Sequence, residues 1–334
     1  MTMDKFKLAL FGAGRIGKIH AATIAANPDC KLEAIVDIYE PAAQELAKKY
    51  AAKVKTTQEV FNDPNIDGVL ICSATNTHAD LIEMAARANK AIFCEKPIDL
   101  NLDRVKSCLK IVKEHKASLS LGFNRRFDSN FIALKQALDA GKIGKAELIT
   151  ISSRDPEPPP LEYIKASGGI FKDMMIHDFD IAVWLKAEMP IAVSARASCL
   201  VNPEIAKYND YDTAVVSLEF ADGSLAVITN SRRASYGYDQ RLEVHGELGM
   251  LSMENILENT VSISNKDGSN KAKPLYFFLE RYMQAYANEL NSFVECFKNN
   301  QQPKPSGKDG ENALILAIAA QESVRTAKTI AIKS

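Results

Sequence analysis

Short apolar runs alternate with helix-like segments over the first third of the chain, and these runs are apolar at nearly every position. The predicted strands are the run beginning at Leu8, then Leu32–Asp37, Asp67–Cys72, Ala91–Cys94 and Leu119–Gly122. The helices predicted between them are Ile16–Ala26, Pro41–Tyr50, His78–Ala88 and Leu102–His115. Continuously apolar strands are typical of a parallel sheet with both faces covered. We therefore predict an α/β fold with a doubly wound parallel sheet in a first domain, residues 1–122.

The pattern changes beyond residue 122, where several runs alternate apolar and polar residues. The predicted strands here are Ala146–Ser153, Ile191–Leu200, Thr213–Phe220, Ser224–Ser231, Arg241–Gly246 and Gly249–Met253. The predicted helices lie near Asn130–Ala140, Met174–Trp184, Arg281–Lys298 and Glu311–Lys328. Period-two alternation and the turn Ala221-Asp222-Gly223 are typical of antiparallel strands. Residues 123–334 are thus predicted to form a second domain around an antiparallel or mixed sheet.

A glycine-spaced turn, Gly12-Ala13-Gly14-Arg15-Ile16-Gly17, joins the first predicted strand to the first helix. In such a turn the first glycine permits the sharp bend and the second lets the backbone approach a pyrophosphate. The third lets the helix pack closely on the strand. The helix N-terminus then faces the phosphates with its positive dipole end. Strand, glycines and helix in this order predict a dinucleotide-binding domain.

Asp37 closes the second predicted strand, where a carboxylate can accept hydrogen bonds from the adenosine ribose hydroxyls. A carboxylate beside the 2′ position repels a 2′-phosphate. The residues that follow, Ile38-Tyr39-Glu40, offer no arginine to neutralise one. The sequence therefore favours NAD over NADP as the cofactor.

Composition narrows the classes of partner. The chain has 334 residues, with 41 basic against 42 acidic side chains and a net charge of −1. This balance gives no electrostatic reason to expect nucleic acid or an anionic membrane as partner, so we expect a small-molecule substrate. No secretory signal and no apolar stretch of about 20 residues is found. The six cysteines are scattered, without a metal-binding spacing, so we expect no metal site and a reducing compartment, the cytoplasm.

Glu95-Lys96-Pro97 follows a predicted parallel strand at its carboxyl end, the edge at which ligands bind in open α/β sheets. A lysine placed there can donate hydrogen bonds to a substrate oxygen and stabilise alkoxide character. The alternative from the pattern alone is a surface lysine beside a turn proline.

A second candidate is the segment that begins with Gly168-Gly169 and contains Asp173 and His177. Four residues apart on one predicted helix, the carboxylate and the imidazole would share a helix face. Histidine has an ordinary pKa near 6.5, which suits a general base close to neutral pH. A purely structural histidine at a helix start is the alternative, but the two glycines would allow a ligand to come close.

Three further segments are ambiguous from their pattern. Arg154 and Asp155 end a strand before a proline-rich loop, which is either the mouth of a polyol pocket or a rigid connector. Arg126 lies just past the predicted domain boundary, where it could reach a cleft or be solvated. Tyr236 belongs to an aromatic turn that could close over a sugar face or only pack.

Together these residues resemble the glucose–fructose oxidoreductase and inositol dehydrogenase family over essentially the whole chain. The motifs that carry the resemblance are Gly12–Gly17, Asp37, Ala74–His78, Glu95-Lys96-Pro97, Gly122–Phe127, Gly168-Gly169, and Asp173 with His177. Within the family, Ser153–Pro156 and Tyr236–Asp239 are most similar to the inositol 2-dehydrogenases. The resemblance implies NAD-dependent oxidation of a secondary hydroxyl, with myo-inositol giving its 2-keto product. Other inositols, an aldose, an anhydro-sugar, or an NAD-binding regulator without turnover remain alternatives.

The resemblance also implies roles for individual residues. It implies that Lys96, Asp173 and His177 are catalytic, and that Arg126, Asp155 and Tyr236 contact the substrate with them. The implied cofactor-binding residues are Gly12, Gly14, Arg15, Ile16, Asp37, Ser73, Thr75, His78, Glu95 and Lys96. A cis peptide before Pro97 is implied as well, together with a large open sheet in the second domain. Through that sheet, members of the family usually assemble into dimers or tetramers.

Overall fold

A six-stranded parallel sheet forms the centre of the first of two units in the computed structural model, which describes residues 5–333. Its strands are β1 (Phe6–Phe11), β2 (Cys30–Val36), β3 (Lys53–Val54), β4 (Gly68–Ile71), β5 (Ala91–Glu95) and β6 (Leu119–Gly122). The intervening helices are α1 (Arg15–Ala26), α2 (Glu40–Tyr50), α3 (Thr57–Asn62), α4 (His78–Arg87) and α5 (Leu102–Glu114). The strand order is β3-β2-β1-β4-β5-β6, with every pairing parallel. The predicted doubly wound sheet is confirmed.

A seven-stranded sheet forms the second unit. The strands are β7 (Ala146–Arg154), β8 (Ala192–Ser198), β9 (Thr213–Glu219), β10 (Leu225–Ser231), β11 (Asp239–Gly246), β12 (Gly249–Met253) and β15 (Ile330–Ala331), and a separate hairpin pairs β13 (Ser262–Asn265) with β14 (Gly268–Lys271). The helices that follow α5 along the chain are α6 (Ser129–Asp139), α7 (Leu161–Ser167), α8 (Ile170–Asp173), α9 (Ile176–Lys186), α10 (Phe278–Arg281), α11 (Met283–Lys298) and α12 (Gly307–Thr326). Of these, nearly all of α11 and the start of α12 belong to the first unit. Within the seven-stranded sheet, β7 and β10 pair in parallel and the other pairs are antiparallel.

The chain returns to its first unit near the end. Cα packing groups the residues up to Phe127 with Gln284–Asn312, and Asp128–Met283 with the remaining C-terminal residues. The reason is aromatic packing of α11: Phe293 lies 6.2 Å from Phe6 and 5.9 Å from Phe93, measured between ring centroids. The sequence prediction assigned all of residues 123–334 to the second domain, because periodicity shows that a helix has an apolar face but not which sheet it meets.

Several short α-helices lie where the sequence predicted none, and α3 and α7 are the longest of them. The helix α3 begins with a capping box, in which Thr56 accepts from the Glu59 backbone and the Glu59 carboxylate accepts from the Thr56 backbone. The helix α7 follows the proline-rich loop that ends at Pro160. Among residues 5–333, no helix combines the length and the apolar character needed to span a bilayer.

Candidate active site

The turn between β1 and α1 has the geometry of a pyrophosphate-binding loop. Gly12 has a φ of +97°, and a Cβ there would lie 2.5 Å from the carbonyl oxygen of Cys72. A Cβ at Gly17 would lie 1.9 Å from the carbonyl oxygen of Gly12. By contrast, a Cβ built at Gly14 meets no heavy atom within 4 Å among the other described residues, its chain neighbours and the backbone of its own helix aside, and no side chain caps the helix there. The loop is therefore closely packed on the protein side and open where a phosphate would approach the N-terminus of α1.

The Asp37 carboxylate is fixed directly beside this loop. Its Oδ2 accepts a hydrogen bond from the Ala13 N–H at 2.6 Å, and its Oδ1 accepts from the Tyr39 N–H at 2.8 Å. The next side chain, Ile38, is fully exposed. The residues thus fit NAD: the acid is held at the end of β2 with lone pairs left for ribose hydroxyls, and no cation lies next to it in sequence.

The segments after β4 and β5, which carry Ser73, Thr75 and Lys96, are tied together by His78. This imidazole is buried, with Nδ1 2.8 Å from the carbonyl oxygen of Pro97 and Nε2 3.0 Å from that of Ser73. Burial lowers the pKa of His78, although both carbonyls act in the opposite direction. The peptide between Lys96 and Pro97 is cis, as the family resemblance implied. His78 therefore fixes the spacing of the two loops from which the predicted cofactor contacts project.

Two acids, Glu95 and Glu289, lie close enough for their charges to interact, and Glu95 directly precedes Lys96. Oε1 of Glu95 is hydrogen-bonded to Nε2 of His20 at 2.8 Å. A Cβ at Gly122 would lie 2.7 Å from Oε2 of Glu95, so glycine at position 122 leaves room for this carboxyl group. On α11, Glu289 is fully buried and neither carboxyl oxygen has a hydrogen-bond partner among the described residues. Burial, and secondarily the charge of Glu95, raises the pKa of Glu289 well above its ordinary value.

We expect Glu289→Gln to change how stability depends on pH. Because the folded state keeps the Glu289 proton after the unfolded state has lost it, wild-type stability should fall as pH rises above the ordinary carboxyl pKa. One such proton contributes at most about 1.4 kcal/mol per pH unit. The glutamine variant lacks this loss, so its urea midpoint relative to wild type should rise from pH 5 to pH 8. The control is Glu295→Gln, on the exposed face of the same helix. Parallel pH profiles for wild type and Glu289→Gln would refute the assignment.

In the second unit, Asp173 and His177 lie in consecutive helices rather than in one. Asp173 ends α8, and His177 is the second residue of α9, with Met174 and Met175 between them. Gly168 and Gly169 precede α8 with φ of +85° and +86°, a conformation that other residues rarely adopt. The predicted continuous helix over Met174–Trp184 therefore begins two residues later, and the shared-face argument for this pair does not hold as stated.

The Asp173 carboxylate meets two side chains that the sequence analysis did not single out. Its Oδ1 accepts from the Tyr163 hydroxyl at 2.8 Å, and its Oδ2 lies 3.6 Å from Nη2 of Arg232. The guanidinium of Arg232 is buried, and Nη2 also lies 3.8 Å from Oδ2 of Asp210. These contacts surround a predicted catalytic carboxylate with one cation, one phenol and a second acid.

The carboxyl end of β7 carries Asp155, whose N–H donates to the Ser231 carbonyl at 3.0 Å. Close by in sequence, the Arg154 guanidinium pairs with Asp239, which also accepts from the Tyr236 hydroxyl at 2.6 Å. Burial acts to raise the pKa of Asp239, but hydrogen bonds from Arg241, Tyr236, Asn255 and Arg154 outweigh it and lower the pKa. Tyr236 is half-exposed, with its hydroxyl anchored by this network, so its ring is held at a defined position.

Arg126, by contrast, is buried in the first unit, where its Nη2 lies 2.9 Å from Oδ1 of Asp309. Asp309 also accepts from the Ser306 N–H and hydroxyl, each at 2.7 Å. The first turn of α12 thus fixes the orientation of Arg126.

Both units match models of known domains. Residues 6–123 match the oxidoreductase family's NAD-binding Rossmann fold, and residues 131–252 match the GFO/IDH/MocA C-terminal domain. An inositol 2-dehydrogenase of Rhizobium meliloti (strain 1021) is 49% identical over 98% of this chain and 99% of its own length. The chain belongs to the GFO/IDH/MocA oxidoreductase family. It is an oxidoreductase with an NAD-binding domain.

Other members of the GFO/IDH/MocA family agree in sequence and fold. A myo-inositol 2-dehydrogenase of Thermotoga maritima is 46% identical, covering 97% of this chain and 98% of its own. The crystal structure of a myo-inositol dehydrogenase from Corynebacterium glutamicum superposes with a TM-score of 0.95 at 44% identity, covering 99% of both chains. The crystal structure of a scyllo-inositol dehydrogenase from Lactobacillus casei with bound NAD(H) and scyllo-inositol superposes with a TM-score of 0.91 at 30% identity, covering 98% of this chain and 99% of its own.

Sequence reasoning missed Tyr163, Asp210 and Arg232. One signal was available for Arg232: it directly follows β10, the strand that runs parallel to β7, just as Asp155 directly follows β7. Carboxyl ends of neighbouring parallel strands meet at one edge of a sheet. The sequence predicted an antiparallel or mixed sheet for the second domain, but it did not indicate which two strands would pair in parallel.

Proposed function

We propose that this chain oxidises myo-inositol at a secondary hydroxyl, giving 2-keto-myo-inositol, with NAD as the cofactor. The observation that carries the proposal is that two relatives that match nearly the whole chain, at 49% and 46% identity, are inositol 2-dehydrogenases. The open glycine turn and the fixed Asp37 support the cofactor. The cluster around Asp173 supports a polar substrate, since it provides ionised and hydroxyl groups within one small region.

The first unit supplies the residues that would hold the cofactor. Gly12, Gly14, Arg15 and Ile16 line the turn and the first residues of α1, and Asp37 is placed to accept from the ribose hydroxyls. Ser73, Thr75, His78 and Glu95 belong to the loops and strand ends beside them. When bound, NAD supplies the acceptor for the hydride that leaves the substrate carbon.

Lys96, Asp173 and His177 carry the chemistry in this proposal. The imidazole of His177 takes the proton of the reacting hydroxyl as the C–H bond breaks with its electron pair. The ammonium of Lys96 donates a hydrogen bond to the oxygen that becomes the carbonyl, stabilising its developing negative charge. Asp173 orients His177 or a neighbouring substrate hydroxyl. Arg126, Asp155 and Tyr236 bind the other hydroxyls of the ring.

The substrate is tested by following reduced cofactor at 340 nm with a panel of myo-inositol, scyllo-inositol, chiro-inositol, glucose and an anhydro-sugar. We expect kcat/KM to be highest with myo-inositol. A higher value with scyllo-inositol would move the assignment to another isomer, and turnover of sugars alone would move it out of the inositols. No turnover with any of them, by protein shown to bind NADH, would favour a regulator that only senses the cofactor.

Cofactor preference is tested at Asp37. We expect Asp37→Ser combined with Ile38→Arg to raise the NADP-to-NAD ratio of kcat/KM by about tenfold or more, because the carboxylate no longer repels the 2′-phosphate and a guanidinium faces it. The same change removes two backbone hydrogen bonds, so the melting temperature should fall. The control, Asp37→Asn, removes the charge but keeps an acceptor. An unchanged ratio in both variants would refute the role of Asp37.

Assembly and location are part of the same proposal. One face of the seven-stranded sheet exposes apolar side chains among polar ones, with Leu148, Val215, Leu225 and Met250 all at least one-third exposed. This supports assembly into a dimer or tetramer through the sheet, and sedimentation as a monomer at micromolar concentration would contradict it.

All six cysteines are free thiols, which supports a reducing compartment such as the cytoplasm.

A further inference from the structure

A buried arginine lies at the edge of the second sheet, at the carboxyl end of its parallel strand pair. Arg154 of β7 pairs with Ser231 of β10, and the chain leaves these strands through Asp155 and Arg232. The Arg232 N–H donates to the Asp212 carbonyl at 2.8 Å, which fixes its backbone. The side chain of Arg232 is only 1% exposed. A residue of this type is rarely buried so completely without a charged partner.

The partners of Arg232 are two carboxylates at ion-pair distance. Nη2 lies 3.6 Å from Oδ2 of Asp173 and 3.8 Å from Oδ2 of Asp210. Neither Nη2 nor Nε has a hydrogen-bond partner among the described residues. A guanidinium stays protonated under all ordinary conditions, and an isolated buried charge is costly. The two acids therefore compensate the buried cation, and the cation in turn stabilises their ionised forms.

Asp210 connects this charge to the backbone that carries Asp173. Its Oδ1 accepts from the Ile170 N–H at 2.7 Å, at the first residue of α8. A Cβ at Gly169 would lie 2.7 Å from the same oxygen, so glycine is required for the carboxylate to reach this N–H. Burial raises the pKa of Asp210, and the charge of Arg232 acts against that rise. Arg232, Asp210 and the turn Gly169–Asp173 form one connected unit.

We propose that Arg232 is a positioning residue for the reaction: its guanidinium holds the Asp173 carboxylate as an anion in the orientation from which it acts with His177. This rests on the proposed function, because it takes Asp173 as part of the catalytic group. Arg232 itself donates no proton and touches no reacting atom in this assignment. Its effect reaches the substrate only through Asp173.

The test is a double-mutant cycle on kcat with NAD and the best substrate of the panel. Arg232→Met should lower kcat about 10- to 100-fold, since small misplacements of a reacting group cost this much, while NADH affinity stays unchanged. Arg232→Lys, which keeps the charge but not the planar fork, should recover part of the loss. In an Asp173→Asn background, Arg232→Met should cost less than about threefold, because the group it positions is already altered.

The control is Arg233→Met, which removes the same charge from the adjacent, exposed position and should keep full activity. Equal losses from Arg232→Met in the wild-type and Asp173→Asn backgrounds would overturn the proposal, as would full activity of Arg232→Met. If the methionine variant does not fold, Arg232→Lys decides: activity within twofold of wild type overturns it, and a loss confined to kcat, with unchanged melting temperature, supports it. Inactive wild-type protein would instead sink the proposed function.

Discussion

Replacing His177 with glutamine is expected to lower kcat about 10²- to 10⁴-fold, the range that positioned acid–base groups usually contribute. Glutamine approximates the size and polarity of the ring but cannot accept the hydroxyl proton near neutral pH. The backbone at this position belongs to the first turn of α9, which should tolerate the change because the side chain is only half-buried. The affinity for NADH, measured by its fluorescence, should stay within about twofold.

The matched control is His115→Gln, at the exposed C-terminal cap of α5. It removes the same chemical group far from the predicted chemistry in sequence and should leave kcat unchanged. Retention of more than about one-third of wild-type turnover by His177→Gln would remove His177 from the role of general base.

Replacing Lys96 with methionine should have an effect of similar size, about 10²-fold or more in kcat. Methionine keeps the length and apolar stem of the side chain but cannot donate to the developing carbonyl oxygen, and one lost donor of this kind typically costs 10²–10³. The peptide that follows is held by the contact between Pro97 and His78, so the loop itself should persist. NADH affinity should fall less than kcat, because Lys96 is expected to contribute to both.

One further variant and one control test whether Lys96 acts only through its charge or needs its ammonium group in a defined position. Lys96→Arg keeps a cation but places its donors on a rigid plane, so we expect it to remain strongly impaired. Lys106→Met, on the exposed face of the next helix, is the control for loss of one positive charge. An active Lys96→Met variant would show that another group stabilises the oxygen.

The first unit could be predicted closely from sequence because its signals are local. Continuous apolar strands and intervening helices gave β6 with its observed bounds, Leu119–Gly122, and the glycine turn could be interpreted from its spacing. The helix α3 was missed although Thr56 and Glu59 form a capping box, because it has only six residues and little periodicity. The return of residues 284–312 depends on which apolar faces meet, which no local pattern reveals.

The candidate site, too, contains residues that local sequence signals reveal and residues that only contacts between distant segments reveal. Gly12 and Asp37 lie where the glycine-turn motif placed them, since that motif constrains its own backbone. The cis peptide before Pro97, which the family resemblance implied, is present as well. Arg232 and Glu289 were not found, because their significance depends on burial beside acids that are distant in sequence. In the sequence alone, each reads as an ordinary charged residue.

In the proposed reaction, the hydrogen on the carbinol carbon of myo-inositol leaves as hydride to bound NAD. The most direct measurement is turnover of myo-inositol carrying deuterium at C2, followed by mass analysis of both products. We expect reduced cofactor that is heavier by one deuterium and a 2-keto product without the label. In a competition between labelled and unlabelled myo-inositol, we expect the labelled substrate to react more slowly. Deuterium retained in the 2-keto product, or reduced cofactor without deuterium, would refute the proposed hydride transfer.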